Sequence, residues 1–412
     1  MKVVYPRCAG IDIHKSSMTV CVYTDRGNGS EPEYEKRRIA THSEGIAELM
    51  RWLEDRRVTD VGMESTGVYW KPVWNALEGK FRLHLSNPLH IRAIPGSKTD
   101  MRDGTRIAEM LAHGKLPESF IPPKWQRELR DLTRLRVRYM EQSTRIQNRI
   151  AKVLEDAQIK LGSVTTRLLG VSGRAMLKAL VGGEIEPEKL AELAKGRLKR
   201  KKSELREALR GNFTEHHRFQ IDLLLDELSQ CEAKVAKLEA RIGTYLDPHR
   251  ELVKRLDEIP GVDEIGAAVI LAEIGADVTA WPSARKLASW SCLCPGNCES
   301  GGKRLSGRTR KGNRWLRRAF CQLAWAAIRK RGSYFGTQYR RLARRRGPTR
   351  ALLAVAHTLV VIIYHLIGNP HLQFQDLGAD YFDRRDAEQV KTNLVKRLAR
   401  LGWEVTLTLK AA

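Results

Sequence analysis

Residues 3–23 read VVYPRCAGIDIHKSSMTVCVY, and they decide the fold of the first part of the chain. Two apolar runs rich in β-branched residues, 3–13 and 18–23, are separated by a short polar turn. Runs of this length and composition are typical of buried strands. The stretch therefore predicts two consecutive strands, with one acidic residue, Asp12, inside the first.

The pattern continues as α/β to about residue 115. The sequence predicts a strand at 34–40, a helix at 43–55 with Ser43 as its N-cap, a strand at 58–63 that ends at Glu64, a helix at 69–77 and a strand at 81–85. Three strands in succession, followed by alternating strands and helices, match a ribonuclease-H-like sheet better than a Rossmann sheet. No Gly-x-Gly-x-x-Gly follows the first strand, which removes the fingerprint of a dinucleotide site.

The middle of the chain is helical. Apolar residues recur at three- and four-residue steps over 125–159 and again over 219–246, which predicts two long helices in an antiparallel hairpin or a coiled-coil dimer arm. Between them, Lys195 to Arg210 holds eight basic and two acidic residues. Such a run is either a solvated face or an arm that faces nucleic acid.

The charge balance points to a polyanionic partner. The 412 residues carry a net charge of +25, which favours nucleic acid or an anionic membrane surface and argues against an ordinary metabolic enzyme. Between Glu299 and Asp376 there are 17 Lys and Arg and no acidic residue. Aromatic residues interleave them, and of these Phe320 and Trp325 are predicted to belong to the core. The acid-free region favours nucleic acid.

The cysteines, the first residues and one apolar run indicate where in the cell the protein is expected. Seven cysteines without a Cys-x-x-Cys pair make a disulfide framework improbable, and the first residues do not resemble a signal peptide. The apolar run at 351–367 is shorter than the roughly 20 residues of a typical membrane span and carries two histidines. We interpret it as a buried core helix and expect a soluble, intracellular protein.

Four carboxylates are candidates for catalysis. Asp12 lies inside a strand, where an unpartnered charge is costly, and Glu64 ends another strand. Asp100 and Asp103 share one face if a helix begins there. Hard oxygen ligands of this kind suit the Mg²⁺ ions of two-metal phosphodiester chemistry. Ordinary interpretations also exist: Asp100 as an N-cap, Asp103 as an acid of the first helical turn, and Glu64 as a surface acid.

A second candidate site is CPGNCESGGKR at 294–304. Ser300, in a Gly-rich turn among cations, could attack a phosphate. Composition alone favours a turn residue instead, and Ser306-Gly307 repeats the dipeptide. The cysteines at 292, 294 and 298 do not have the spacing of a common zinc site. Upstream, the turn at Pro260-Gly261-Val262 is either a phosphate-gripping helix-hairpin-helix or a packing hairpin.

These motifs resemble the insertion-sequence one-ten family of transposases, the DEDD-type, bridge-RNA-guided serine recombinases. The resemblance covers nearly the whole chain. The stretches that carry it are Gly10-Ile11-Asp12-Ile13-His14-Lys15, Met63-Glu64-Ser65-Thr66-Gly67, Lys98-Thr99-Asp100-Met101-Arg102-Asp103, Ile259-Pro260-Gly261-Val262, Ser300-Gly301-Gly302-Lys303, Lys311-Gly312-Asn313-Arg314-Trp315-Leu316-Arg317 and Leu377-Gly378-Ala379-Asp380-Tyr381-Phe382.

The resemblance implies roles for these residues. Asp12, Glu64, Asp100 and Asp103 would be the Mg²⁺-binding acids of a RuvC-like domain, and Ser300 would form a transient phosphoserine link to DNA. The cations expected to contact nucleic acid are Lys303, Arg304, Arg308, Arg310, Lys311, Arg314 and Arg317. Donor and target DNA, a structured noncoding bridge RNA and further copies of the chain (a dimer or tetramer) would be the partners, in a prokaryotic cytoplasm at the nucleoid and without a membrane.

The implied architecture has four parts. Residues 1–115 would form the RuvC-like α/β domain, 116–250 a helical coiled-coil region with the basic insert, 251–375 a mainly α transposase domain with Ser300, and 376–412 a tail. Two other functions compete with the recombinase. One is a metal-dependent junction nuclease without a covalent intermediate, and the other is a basic, non-catalytic nucleic-acid-binding protein.

Overall fold

The computed structural model describes residues 3–27, 29–65, 67–88, 100–309 and 312–408, except for the side chains of 100–102, 298 and 304. The chain forms two compact units, residues 1–122 and 123–412. The four-part division expected from the sequence stays a prediction.

The first unit is built on a five-stranded mixed sheet in the order β3-β2-β1-β4-β5. Its strands are β1 (Arg7–Ile13), β2 (Ser17–Thr24), β3 (Glu33–Ala40), β4 (Asp60–Glu64) and β5 (Arg82–Ser86). The first three strands pair antiparallel, while β4 is parallel to both β1 and β5. Three meandering strands followed by parallel ones are the arrangement that the sequence predicts.

Helices cover both faces of this sheet. On one face, α1 (Ser43–Asp55) and α2 (Trp70–Leu77) pack over the odd-numbered residues of β1, and on the other α3 (Asp100–Ala112) packs over the even-numbered ones. The alternation of side chains along a strand produces this division. The predicted cap of α1 is wrong by one residue: His42, not Ser43, is the N-cap, and its ring nitrogen accepts a hydrogen bond from Gly45 N.

The described part of the second unit is helical apart from one small hairpin, β6 (Cys298–Ser300) and β7 (Lys303–Ser306). Its helices are α4 (Lys124–Asp156), α5 (Leu161–Val164), α6 (Val171–Val181), α7 (Pro187–Glu192), α8 (Lys202–Leu209), α9 (Glu215–Leu246), α10 (Arg250–Asp257), α11 (Glu264–Ile274), α12 (Ala284–Trp290), α13 (Arg314–Ala327), α14 (Tyr334–Arg346), α15 (Pro348–Gly368), α16 (Tyr381–Arg385) and α17 (Ala387–Arg400).

The two long helices α4 and α9 pack along each other, as the spacing of their apolar residues predicts. Tyr245, at the end of α9, donates to Glu128 near the start of α4, whereas Gln142 in mid-helix donates to Glu227. The pair is therefore antiparallel. One end of the pair belongs to a core with α6–α8, and the other end belongs to the core around α11, α13 and α15.

Helix α15 contains the apolar run that the sequence predicts as a core helix. By length and composition it is the one helix in the described residues that could cross a membrane. Nine of its side chains are buried, and most of them belong to the core around α11, α13 and α15. This packing agrees with the core interpretation.

One aromatic residue in this core was predicted wrongly. Phe320 is fully buried, as expected, but Trp325 is 45% exposed. Phe320 and Trp325 are five residues apart, and on an α-helix that spacing points two side chains in directions about 140° apart. The two rings on α13 therefore cannot share a face. The buried face of α13 continues from Phe320 through Leu323 and Ala324 instead.

The turn before α11 is a packing hairpin. A methyl group added at Gly261 would lie 2.6 Å from Ala327 N and 2.8 Å from Leu323 O, so the turn lies directly against α13. Val262 is buried there, and the Asp263 carboxylate caps α11 by accepting from Gly266 N at 2.7 Å. Of the two interpretations open from the sequence, the contacts favour packing over a phosphate grip.

Candidate active site

The first candidate site lies where β1 and β4 end. Asp12 shares its face of β1 with Gly10 and Cys8, and Glu64 shares the same face of the sheet with Gly62, because side chains two residues apart point the same way. In the parallel register Ile11 is opposite Met63, so the next pair along is Asp12 and Glu64. Neighbouring strands lie about 4.8 Å apart. The sheet therefore places these two carboxyl-bearing residues side by side.

Asp12 is nearly buried. The residue is 8% exposed, and its Oδ2 lies 3.2 Å from Nε2 of His14, which is itself half-exposed at the β1–β2 turn. Glu64 is half-buried at the open end of β4. One carboxylate thus points into a sheltered position while its neighbour remains accessible from solvent.

Helix α3 covers the same face of the sheet and carries Asp103 in its first turn. A methyl group added at Gly104 would lie 2.9 Å from the carbonyl oxygen of Thr19, the residue paired with Asp12 across β1 and β2. Asp103 immediately precedes Gly104 and is half-buried. Asp100 is the first residue of α3, but its side chain lies outside the described part of the structure. The first turn of α3 is therefore close to the strand that carries Asp12.

The close approach of α3 depends on glycine. An added methyl at Gly10 would lie 2.3 Å from both Gly104 O and Ala108 N, so the helix backbone rests on the backbone of β1. This contact explains why Gly10 precedes the Ile11-Asp12 dipeptide. It also fixes the distance between the backbone of α3 and the sheet.

The donor set fits a hard divalent cation. Carboxylate oxygens on one face of the sheet are the ligands that Mg²⁺ prefers. Among the described side chains, which do not include that of Asp100, no three His, Cys, Asp or Glu residues form a metal-binding group. The sheet pairs two of the predicted acids, and α3 positions a third near them.

The second candidate site is the hairpin β6–β7. Ser300 and Lys303 are paired across the hairpin, and Gly301 and Gly302 form the turn with φ of +56° and +74°. Positive φ at both central residues is the requirement of a type I′ turn, which suits a two-residue hairpin. Ser300 is exposed at the tip. It is therefore both the residue that begins a turn and an accessible hydroxyl beside a cation.

The predicted nucleic-acid contacts occupy different positions around this hairpin. Lys303 and Arg308 are exposed along it, and Arg314 is exposed at the start of α13 with its guanidinium 5.1 Å from the ring of Trp315. Arg317 instead donates to the Thr309 hydroxyl at 2.6 Å and so braces the base of the hairpin. The side chain of Arg304 and both residues 310 and 311 are outside the described structure.

Asn313 has a structural role that its motif did not reveal. Its side-chain oxygen accepts from the backbone of Trp315 and Leu316 at 3.0 and 3.1 Å, which caps α13. Its side-chain amide donates to Glu273 at 2.6 Å. The residue thus fixes where α13 begins relative to the hairpin.

Glu273 was not identified from the sequence. It is 1% exposed on α11 and accepts a bidentate pair of hydrogen bonds from Arg134 of α4, at 2.8 and 2.9 Å. Arg130 lies 3.4 Å from the same carboxylate. The carboxylate joins three helices beneath the hairpin. A charged residue within an apolar helix was the signal available, but its partner is 139 residues away.

The thiols of Cys292 and Cys294 lie close to this hairpin and are partly or fully buried. Burial raises the pKa of both Cys292 and Cys294, which favours the neutral thiol over the thiolate that would bind the metal. The side chain of Cys298 is outside the described residues. The expectation from the cysteine spacing, that this is not a common zinc site, stays a prediction.

An α/β sheet with acids at the open ends of β1 and β4, followed by a helical remainder, fits the class of ribonuclease-H-like DEDD proteins. Comparison with known families agrees. Residues 9–159 match the DEDD transposase family of IS110, described as a transposase, and residues 253–340 match the family described as "Transposase IS116/IS110/IS902 family". The chain belongs to the IS110 family of transposases. This is the insertion-sequence one-ten family that the sequence motifs resemble.

A curated relative supports this placement. The chain is 32% identical over 146 residues to a protein of Streptomyces coelicolor described as "Insertion element IS110 uncharacterized 43.6 kDa protein". The aligned part spans 35% of each protein, about a third of the relative's length. The two family matches lie on opposite sides of the basic segment at 195–210, which neither match includes.

Proposed function

We propose that the protein is the transposase of an insertion sequence and that it cuts and rejoins DNA strands through a phosphoserine at Ser300. The observation that carries the proposal is the position of Ser300 on an exposed hairpin, where it is paired with Lys303 and begins the stretch 300–375, which holds 17 cations and no acid. A serine that merely completes a turn has no need of this cationic surrounding. DNA supplies the phosphate that such a group would attack.

The chemistry balances without an external energy source. The Ser300 oxygen forms a bond to phosphorus while the bond from phosphorus to a sugar oxygen breaks. The hydroxyl proton passes to solvent, and the departing oxygen takes one up. Rejoining is the reverse step, in which a sugar hydroxyl of another strand attacks the phosphoserine. Lys303 stands where it can stabilise the negative charge that develops on the phosphate.

The acids of the first unit are proposed to hold Mg²⁺. Asp12 and Glu64, with Asp100 and Asp103 from α3, offer only oxygen ligands, as that ion requires. When bound, the ion would polarise the phosphate and stabilise the leaving oxygen. Asp12 would offer a nearly buried carboxylate, with its Oδ2 3.2 Å from Nε2 of His14, and Glu64 a half-buried one.

The partners follow from the family and the charge. Donor and target DNA would meet the exposed cations Lys303, Arg308 and Arg314, whose contacts with phosphates do not depend on sequence. A structured noncoding bridge RNA that pairs with both DNAs would then choose the sites. We also propose that the protein acts as a homo-oligomer, through the coiled-coil pair α4 and α9, in the bacterial cytoplasm at the nucleoid.

One observation favours an alternative. The adjacent Asp12 and Glu64 would also serve a metal-dependent junction nuclease that hydrolyses DNA with water as the nucleophile. Such an enzyme would leave free ends and no link between protein and DNA. The two functions therefore differ in a single measurable product.

The test is the search for that covalent product. Purified protein would be incubated with Mg²⁺, labelled donor and target DNA, and the noncoding RNA encoded beside its gene, then denatured and separated on a gel. We expect label to remain with the wild-type chain and to vanish with Ser300→Ala and with Asp12→Asn. Ser306→Ala, on the other strand of the same hairpin, is the matched control and should retain the adduct.

Two outcomes would contradict the assignment. An adduct that survives Ser300→Ala and disappears in Ser306→Ala would move the nucleophile to Ser306. Cleavage without any adduct, lost only in Asp12→Asn, would establish the nuclease instead of the recombinase.

A further inference from the structure

The basic segment at 195–210 is an ordered part of the helical region. It forms a 3₁₀ helix, Gly196–Lys201, that continues directly into α8. Leu205 and Leu209 of α8 are buried in the core shared with α4 and α9. The cations are therefore held on a fixed surface, unlike those of a flexible basic tail.

The second half of the segment is neutralised by neighbouring acids. Lys201 pairs with Glu204 at 3.0 Å, and Lys202 and Arg206 both reach Glu192. Arg210 likewise lies 3.3 Å from Glu207 and 3.9 Å from Glu188. This half is a solvated face laced with ion pairs, which is one of the two interpretations open from the sequence.

The first half differs. Lys195, Arg197, Lys199 and Arg200 are exposed, and none has an acidic partner within the part of the chain that the structure describes. Arg197 and Arg200 are one 3₁₀ turn apart and lie on the same side, about 6 Å along the axis. We call these four residues the 195–200 patch. Four like charges held this closely repel one another, so an anion that lies across them is favoured.

We propose that the 195–200 patch binds the phosphate backbone of a paired stem of RNA. The inference rests on the proposed function, in which a structured RNA is a partner. Residues 187–211 contain no aromatic side chain on which an unpaired base could stack, as single-stranded ligands require. Paired RNA is instead recognised through its phosphates and 2′-hydroxyls, because side chains cannot enter its narrow major groove.

The patch is also separate from the cations beside Ser300. It lies on the core formed with α6–α8, whereas the serine hairpin lies beside the core of α11, α13 and α15. Two distinct cationic surfaces allow the chain to hold RNA at one and DNA at the other. The segment at 195–210 lies outside both family matches, and this assignment gives it a function of its own.

The experiment compares two triple variants of the full-length chain. The first, Arg197→Gln/Lys199→Gln/Arg200→Gln, removes three charges from the patch. The matched control, Lys152→Gln/Lys178→Gln/Lys237→Gln, removes three exposed charges that are scattered over the same helical region. The probe is a fluorescent RNA duplex of about 20 base pairs and mixed sequence, with the corresponding DNA duplex as competitor. Circular dichroism checks that both variants fold.

We expect the patch variant to lose about tenfold or more in RNA affinity at 0.1 M salt, and the slope of log K against log salt to fall by about 3. The control should change the slope by less than about 1. Equal losses in the two variants would overturn the patch, and equal competition by the DNA duplex would overturn its assignment to RNA.

The experiment distinguishes a failure of this inference from a failure of the proposed function. Wild-type protein that binds no RNA would overturn the guide-RNA part of the proposed function together with this inference. A patch variant that binds RNA normally would overturn the inference alone, while the adduct at Ser300 is measured independently.

Discussion

Gly10 carries no side chain at the point where α3 lies on β1. The backbones are so close that a methyl group would lie 2.3 Å from two backbone atoms of the helix. Neither atom belongs to a flexible side chain that could swing away. The whole helix would have to move, and Asp103 would move with it.

We predict that Gly10→Ala lowers the free energy of unfolding of the first unit by about 1–3 kcal/mol or more, as overpacking does. It should also abolish DNA strand transfer, because the first turn of α3, which carries Asp103, would move away from the strand that carries Asp12. Urea unfolding followed by circular dichroism gives the first quantity, and the adduct gel gives the second.

Gly162 provides the control for this substitution. No atom lies within 4 Å of a methyl group added there, and the residue is in the short helix α5. Gly162→Ala should leave stability unchanged or raise it by up to about 1 kcal/mol. If the two variants unfold alike, the close approach of α3 to β1 is wrong.

Single residues also show where sequence reasoning stops. Asp12 could be singled out because a strand-interior acid is unusual, and the sheet does place it beside Glu64. Glu273 could not be singled out, because its role depends on the ion pair with Arg134, a residue that only the fold brings near. Asn313 was recognised as part of a motif, but its two roles, capping α13 and bonding Glu273, require the helix ends to be known.

At the scale of elements, the hairpin β6–β7 holds Ser300 at its exposed tip. Nothing lies within 4 Å of a methyl group added to Gly301 or Gly302, so only their positive φ constrains the residue type. A residue with a branched side chain would cost about 1–2 kcal/mol at such a position. The cost falls on the turn alone, because the tip contributes nothing to the core.

We predict that Gly302→Val reduces adduct formation by roughly tenfold, which corresponds to 1.4 kcal/mol, while the melting temperature remains that of the wild type. Gly301→Asn should retain activity, since Asn-Gly is the preferred pair for a type I′ turn. Calorimetry and the adduct gel measure the two properties. Full activity in Gly302→Val would show that the turn geometry does not position Ser300.

Most elements could be predicted because their apolar residues follow the period of a strand or a helix. The five strands and the two long helices have ends within a few residues of those expected. Trp325 was expected on the apolar face of Leu316 and Leu323, but its angle around α13 places it on the opposite side. The hairpin at 298–306 was expected only as a turn, since its strands are three and four residues long and mostly polar.

At the scale of the whole molecule, each hydrophobic core belongs to one unit. Among the described residues, the two cores on the faces of the sheet use residues up to Ile121, and the two cores of the helical unit use residues from Trp125 onward. Within the helical unit, α4 contributes Leu129 to one core and Ile146 to the other. Chain order cannot reveal this sharing, because one uninterrupted helix spans both cores.

Because each core formed by the described residues lies within one unit, we predict that fragments 1–122 and 123–412 each fold on their own. Each should give a helical or mixed circular dichroism spectrum and a single cooperative urea transition, since each retains complete cores. A cut between Gly183 and Glu184 is the control, because it separates α4 from α9 and divides a core between two fragments. Those fragments should aggregate or unfold without cooperativity. A fragment 123–412 that lacks a cooperative transition would show that the helical unit needs the sheet in order to fold.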